Sequence, residues 1–87
     1  MSSIIAVTEE LEPKRSSAEE KPQKTICVTI LRGHGILRYG SGSHLDCHRK
    51  LHKDDFAIIQ PGVSFVVEND SRSQRLLFSK RNRVHKK

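Results

Sequence analysis

The sequence predicts an all-β domain, either a sandwich or a small barrel. Runs of four to eight residues alternate with turn residues, and these runs are rich in β-branched and aromatic side chains. No segment carries the apolar spacing of a long amphipathic helix. Short strands that are joined by polar turns, with no helices between them, are typical of antiparallel sheets that pack on one another.

Six strands follow one another between residues 25 and 79. The breaks between them are Gly-rich at 33–35 and 40–43, Asp-containing at 52–54, Pro-Gly at 61–62 and polar at 69–72, all of which are turn compositions. The predicted strands therefore span residues 25–32, 36–39, 44–51, 56–60, 64–68 and 74–79.

Residues 1–24 are predicted to be a flexible segment of mixed acidic and basic character. Their only apolar cluster is Ile4, Ile5 and Val7, which buries too little surface to offset the entropy of ordering. A short edge strand at 3–8 is the one element that this segment could add. The predicted organisation is a flexible segment at 1–24, a β-barrel at 25–82 and a basic tail at 83–87.

The predicted core is small. Only 34% of the 87 residues are apolar and only 5% are aromatic. A folded region below about 70–80 residues gains only a few kcal/mol from its core and usually needs a disulfide, a metal or a partner subunit. We therefore look for one of these three in the sequence.

Charge is concentrated at the C-terminal end. The net charge is +6, and five Lys or Arg residues fall within the last nine positions. Such a tail is usually solvated, although it can also contact nucleic acid. We expect at most weak, sequence-indifferent DNA binding, with the candidate contacts Lys80, Arg81, Arg83, Lys86 and Lys87.

Membrane insertion and export are not expected. No apolar run approaches the roughly 18 residues of a membrane span, and the first residues lack the apolar run of a signal peptide. We therefore expect a soluble, intracellular protein, in which Cys27 and Cys47 are buried thiols rather than a disulfide.

Candidate catalytic and metal-binding residues do not form a convincing site. His44, Cys47, His48 and His52 resemble a ligand cluster, but alternation along a strand places the histidines on one face and Cys47 on the other. Asp54 and Asp55 occupy a turn, and no serine lies in a nucleophile motif. We predict no catalytic residue, no metal ligand and no cofactor.

The strand at 25–32 is apolar on both faces. Ile26, Val28 and Ile30 are predicted to point into the barrel, which leaves the opposite row facing outward with no helix to cover it. The segments 56–59 and 76–78 show the same two-sided apolarity. We therefore predict a homodimer or partner contact that uses Cys27, Thr29, Leu31, Ile59 and Leu77.

The stretch DDFAIIQPGVSFVVEND, residues 54–70, resembles the second conserved motif of cupins. Gly62 matches the corner glycine of that motif and Asn69 matches its asparagine. Asp54 replaces the first glycine, and Gln60 stands at the usual proline with Pro61 beside it. Phe65 stands where the motif has its metal-binding histidine, and no histidine precedes His34 to supply the first cupin motif. The resemblance implies a cupin barrel without a metal site.

Within the cupins, the C-terminal domains of the centromere protein C family are the most similar. Their pattern of a first strand like TICVTILRG, a short hairpin and a closing strand like RLLFSKR is found here. The matching residues are Leu51, Asp55, Phe56, Pro61, Gly62, Asn69, Leu76, Leu77 and Phe78. The resemblance implies a homodimer in the nucleus, at the centromere or inner kinetochore, that recruits a centromere or kinetochore assembly protein.

The function expected from these observations is non-enzymatic homodimerisation and protein docking. Two alternatives stay open. One is a basic nucleic-acid-binding β-module that uses the C-terminal tail. The other is a metal-free cupin that senses a small molecule in its interior.

Overall fold

The computed structural model describes residues 3–84, which form seven strands and two sheets. In chain order the strands are β1 (Ser3–Leu11), β2 (Ile26–Arg32), β3 (His34–Gly40), β4 (Cys47–His52), β5 (Phe56–Ile59), β6 (Ser64–Glu68) and β7 (Leu76–Val84). Sheet A has the order β1-β7-β2-β5 and sheet B the order β4-β3-β6, and every pairing is antiparallel. The all-β prediction is confirmed.

The core lies between the two sheets. Alternation along each strand turns one row of side chains inward, as expected for sheets with a single buried face. Ile26 packs at the margin of this core. The buried apolar residues are Leu11, Val28, Ile30, Leu37, Leu51, Ala57, Ile59, Phe65, Val67, Leu76 and Phe78.

The Pro61-Gly62 corner is a β-turn that joins β5 to β6. The N–H of Val63 donates to the carbonyl of Gln60 at 3.2 Å, and Gly62 has a φ of 86°. Proline followed by a residue with positive φ is the sequence signature of a type II turn. The turn predicted from the Pro-Gly pair is therefore present.

Asp54 also has a positive φ, 73°. It ends the tight turn in which the N–H of Asp55 donates to the carbonyl of His52 at 2.9 Å. Aspartate is one of the few non-glycine residues that enter this region of φ and ψ with any frequency. This conformation gives a physical reason why the cupin motif has glycine where this chain has Asp54.

The N-terminal segment is more ordered than its composition predicts. The strand expected at 3–8 extends from Ser3 to Leu11 and pairs with β7 along its whole length. Residues beyond it run beside β6, where Ser16 and Glu20 form bridges to Glu68 and Phe65. The prediction of a flexible segment at 1–24 is therefore wrong for residues 3–24. Backbone hydrogen bonds to β6 and β7 order them, although they bury little apolar surface.

The C-terminal strand is longer than predicted. β7 runs to Val84 rather than ending at Ser79, because β1 and β2 pair with it on both sides. Residues 83 and 84 of the predicted basic tail therefore belong to a strand, and 85–87 lie outside the described residues. Among the described segments, none is a helix long and apolar enough to cross a membrane.

Candidate functional site

The outer face of sheet A carries an apolar patch on β2 and β5. Phe56 is 56% exposed, Ile58 49% and Leu31 40%, which is unusual for side chains of this size. The β2–β5 register places Cys27 opposite Ile58 and Thr29 opposite Phe56, so these four residues share one face. We call Cys27, Thr29, Leu31, Phe56 and Ile58 the outer patch.

The patch is bordered by polar residues toward β1. The outward row of β7 places Arg81 beside Cys27 and Ser79 beside Thr29. The next strand adds Thr8 opposite Ser79. An apolar centre with a polar margin is the composition of a protein-interaction surface.

Three of the five residues predicted for the dimer face lie on the outer patch. Cys27, Thr29 and Leu31 point away from the core, while Val28 and Ile30 are buried as expected. Ile59 is a wrong prediction, because it is only 3% exposed and packs in the core opposite Ile26. Leu77 is half-buried and lies beyond the patch, across from Arg32 and Glu10.

Sequence reasoning did not select Phe56 and Ile58 for this face. The signal was present, since Phe56 and Ile58 alternate with Ala57 and Ile59, and only one of the two rows can face the core. Both rows of this segment are apolar, so alternation alone does not select the one that faces the core. The register with β2 decides between them.

A cavity opens where the edges of the two sheets meet at β4 and β5. We call this junction the open seam. The cavity has a volume of about 180 Å³, and its lining includes Leu37, Tyr39, Ala57, Ile59 and Val63 together with Arg49. This is the space in which an effector would bind if the small-molecule alternative were correct.

Arg49 is the charged group of the open seam. It lies on β4 opposite Leu37, in the inward-facing row, yet its side chain is exposed because β4 is the edge strand of sheet B. The ion pairs among the described residues do not include it. Asp54 and Asp55 line a neighbouring concavity with it but form no salt bridge to it. A guanidinium without a salt bridge is suited to binding a carboxylate.

The opposite junction lies between β1 and β7 of sheet A on one side and β6 of sheet B on the other. Residues 12–24 close it. We call it the closed seam. Lys80 points inward from β7 and is only 14% exposed, and its Nζ lies 2.8 Å from Oε1 of Glu20 and also pairs with Glu9. Burial lowers the pKa of Lys80, but hydrogen bonding and attraction to Glu20 and Glu9 outweigh it, so the pKa is raised above its ordinary value.

This pairing changes the predicted nucleic-acid surface. Lys80 is not available for phosphate contacts, because its ammonium group is held between two carboxylates. Arg81 is exposed on the outer face. The side chain of Arg83, and Lys86 and Lys87 as a whole, lie outside the described residues.

Asn69 is buried and holds three parts of the closed seam together. Its Nδ2 donates to the carbonyls of Leu11 at 3.1 Å and Gln74 at 2.8 Å, and its Oδ1 accepts from the N–H of Ser71 at 3.0 Å. Its own N–H donates to the carbonyl of Arg15 at 2.9 Å. The asparagine matched to the cupin motif therefore has a structural role here.

The donor groups present do not fit the metal that cupins commonly hold. Phe65, at the motif's histidine position, is 1% exposed and fills the core. No group of three or more His, Cys, Asp or Glu side chains with metal-binding geometry occurs within the described part of the chain. His48 and His52 are exposed along β4, and His34 is paired instead with Asp70 at 3.2 Å.

The two cysteines are less buried than the sequence led us to expect. Both are free thiols. Cys27 is half-buried in the outer patch, whereas Cys47 is exposed rather than buried. Its position at the start of the edge strand β4 leaves one side of it without a neighbouring strand.

No protein-family model matches this sequence, and no curated protein matches it significantly. Solved structures do match. A Bacillus halodurans protein superposes with a TM-score of 0.80 at 15% identity, over 97% of this chain and 65% of that one. A cupin superfamily protein of Desulfitobacterium hafniense gives 0.75 at 11% identity, over 95% of this chain and 79% of that one.

The chain is also similar to the cupin domain of Drosophila melanogaster CENP-C. The TM-score is 0.78 at 11% identity, over 91% of this chain and 59% of that one. The Drosophila CENP-C structure bound to CAL1 gives 0.77, with 63% of its length covered. This chain thus spans less than two thirds of the Bacillus halodurans protein and of both CENP-C structures. At these identities the likeness concerns the fold, and the fold of this chain is that of a cupin.

Proposed function

We propose that this cupin domain is a non-enzymatic protein-interaction module that forms a homodimer and docks a protein partner. The observation that carries the proposal is the outer patch. Its members Leu31, Phe56 and Ile58 are large, apolar and between 40% and 56% exposed on one face of sheet A. Contiguous apolar surface of this kind marks interaction sites on soluble proteins.

Self-association through this patch is supported by the shape of the fold. Sheet A buries one face against sheet B, and the described residues contain no helix to cover the other. Removing the patch from water gains about 25 cal/mol per Å² before the cost of association is subtracted. A two-fold dimer would use the patch from both chains, so the apolar area of each side chain would be buried in both protomers.

The proposed setting is the centromere, with a centromere or kinetochore assembly protein as partner and the nucleus as location. The support is the similarity to Drosophila CENP-C, whose cupin has been solved alone and bound to CAL1. The resemblance of the segment Leu51 to Phe78 to this family points the same way. Both are likenesses of fold and motif, so setting and partner are proposals.

The absence of an enzymatic role is likewise a proposal. Phe65 packs in the core at the position where the cupin motif has its histidine. The cavity at the open seam is lined by apolar side chains, Tyr39, Gln60 and Arg49. Among the described residues, no pair of acid and base groups lines the cavity to carry out proton transfer there.

The test is a measurement of mass in solution across a dilution series. The wild type is expected to be a dimer at concentrations on the order of tens of micromolar. Leu31→Glu places like charges across the proposed axis and should give a soluble monomer.

Val7→Glu is the matched control. Val7 is 48% exposed but lies on β1, outside the outer patch and across from Lys80. The Val7→Glu substitution should leave the dimer intact. A wild type of monomer mass, or a dimer that survives Leu31→Glu, would contradict self-association through this face.

A further inference from the structure

Three of the four sheet edges in this fold are either occupied by another segment or carry charged residues. The edge of β6 is occupied, because the N–H of Glu20 donates to the carbonyl of Phe65 and the N–H of Phe65 donates back to Glu20, at 3.0 and 2.8 Å. β4 carries the charged or polar residues His48, Arg49, Lys50 and His52, and β1 carries Glu9 and Glu10 beside its last residue. Charges along an edge oppose strand addition.

The edge of β5 has no such protection. Its sequence is Phe-Ala-Ile-Ile, with no charge and no proline. It is the terminal strand of sheet A. A short apolar edge is a template on which another extended segment can pair.

The direction of the free backbone groups follows from the β2–β5 register. The N–H of Ile30 donates to the carbonyl of Asp55 at 3.0 Å, so bonding to β2 falls on alternate residues from Asp55. Ala57 and Ile59 continue that series. The N–H and C=O groups of Phe56 and Ile58 therefore point away from β2, toward the open seam.

The open seam also offers space and charge for a bound segment. The cavity of about 180 Å³ lies on the inner side of β5 and is walled by Leu37, Ala57, Ile59 and Val63. That volume suits one leucine-sized side chain. Arg49 stands at the same cavity with no carboxylate partner among the described residues.

We propose that β5 binds an extended acidic-apolar peptide segment of a partner protein by strand addition. The peptide backbone pairs with Phe56 and Ile58, one of its side chains fills the cavity, and a carboxylate two residues away binds Arg49. Its alternate side chains extend the outer patch. This deepens the docking half of the proposed function and rests on it, but does not require the homodimer.

The probe is a fluorescein-labelled heptapeptide with the order Ser-Val-Leu-Val-Glu-Val-Ser and blocked ends. In a paired strand its leucine and glutamate share the inward face, and the N–H groups of its valines point toward β5. Fluorescence anisotropy should show saturable binding to the full chain with a dissociation constant of about 100 µM or tighter.

Two backbone changes in the probe separate strand addition from simple apolar contact. N-methylation of the central valine removes an N–H that faces β5 and should weaken binding at least about tenfold. N-methylation of the leucine removes an N–H that faces solvent and serves as the matched control, with a change within about threefold.

Two variants of the protein test its side of the contact. Ile58→Pro removes the outward N–H without touching a bond to β2, a position where edge strands tolerate proline, and should also weaken binding at least about tenfold. Ile58→Thr keeps the N–H and should bind better than Ile58→Pro. Arg49→Glu should weaken the glutamate probe and be rescued by a probe with lysine in place of glutamate.

The outcomes separate this inference from the dimer. Binding to the monomeric Leu31→Glu variant with wild-type affinity supports strand addition even if self-association fails. A wild type that dimerises but shows no saturable probe binding overturns strand addition alone. Equal loss of affinity from both N-methylated probes would also overturn strand addition, as would the absence of charge-swap rescue at Arg49. It would likewise be overturned if a leucine-sized alcohol binds in the cavity and the peptide fails to displace it.

Discussion

The two seams of the barrel differ in how the gap between the sheets is filled. At the closed seam, residues 12–24 cross between the sheets, with Asn69 and Lys80 satisfying polar groups on both sides. At the open seam, β4 and β5 are joined by the short turn at 53–55, and a cavity remains between them. The same small core therefore has one side fixed by polar contacts and one side left open.

This difference indicates which surfaces serve stability and which serve binding. Buried polar groups must be paired, so each bond of Asn69 or Lys80 has a large cost when it is lost. Exposed apolar groups on an edge strand cost little when they are changed, because they already face water. Substitutions at the closed seam should lower the free energy of unfolding, whereas those at the open seam should alter binding.

The largest effect is expected for Phe65→Ala, in the core that both seams enclose. Phe65 is 1% exposed, and a buried phenylalanine replaced by alanine typically costs about 3–5 kcal/mol of unfolding free energy. Urea denaturation at a protein concentration below the dimer range would measure it. A loss under about 1 kcal/mol would mean that the residue is not packed as described.

Asn69→Ala should follow, with a loss of about 3 kcal/mol. The substitution leaves the carbonyls of Leu11 and Gln74 and the N–H of Ser71 without their partner. Asn69→Asp is the matched comparison, since it keeps the acceptor and loses the donor, and it should also destabilise the fold. Thermal unfolding of both variants measures the effect, and a wild-type melting temperature for either would contradict the role assigned to Asn69.

Lys80→Met should cost about 1–3 kcal/mol, because Glu9 and Glu20 would then face each other without a cation. The pKa of Lys80 is raised in the folded state, so its contribution is fully present at neutral pH and is lost as the pH rises through that raised value, above 10.5. The stability difference between wild type and Lys80→Met should therefore shrink in alkaline solution. Arg81→Ala, on the exposed neighbour, is the control and should change stability by about 0.5 kcal/mol or less.

The basic tail should show a smaller effect than its composition suggests. With Lys80 held by two carboxylates, at most four of the five bases can contact phosphates, which gives a log–log salt slope no steeper than about −3.6. Titration of duplex DNA at two salt concentrations measures this slope. Removal of residues 85–87 is the appropriate truncation control, since deletion from Lys80 onward would remove half of β7. Sequence-selective binding that persists at high salt would favour the nucleic-acid alternative.

The smallest effect on stability is expected at the open seam. Ile58→Thr removes apolar surface that is already 49% exposed, on an edge strand where threonine is well tolerated. The unfolding free energy of the monomer should change by about 0.5 kcal/mol or less, while the dimer and the peptide probe bind more weakly. A large loss of monomer stability would mean that Ile58 belongs to the core.

Local patterns were enough to predict much of the fold. Alternation and turn residues placed the six strands between residues 25 and 79, and the Pro-Gly pair predicted the turn between β5 and β6. Alternation along the strand puts Phe65 and Val67 on the same face, and both are buried. The spacing of the 54–70 segment identified the cupin resemblance, which the solved structures confirm for the fold.

The rest depended on contacts between distant residues. Composition alone made residues 1–24 look unable to order, but their order comes from hydrogen bonds to β6 and β7, which composition does not encode. The sequence suggests that Lys80 belongs to a basic tail, but pairing with β1 and β2 extends β7 through it, so its side chain points inward beside Glu9 and Glu20. The period of two in β5 leaves two choices of buried row, and the register with β2 selects Ala57 and Ile59. Sequence determined which segments extend and where they turn, because those preferences are local, whereas tertiary structure decided which edge stays open, because that depends on which strands meet.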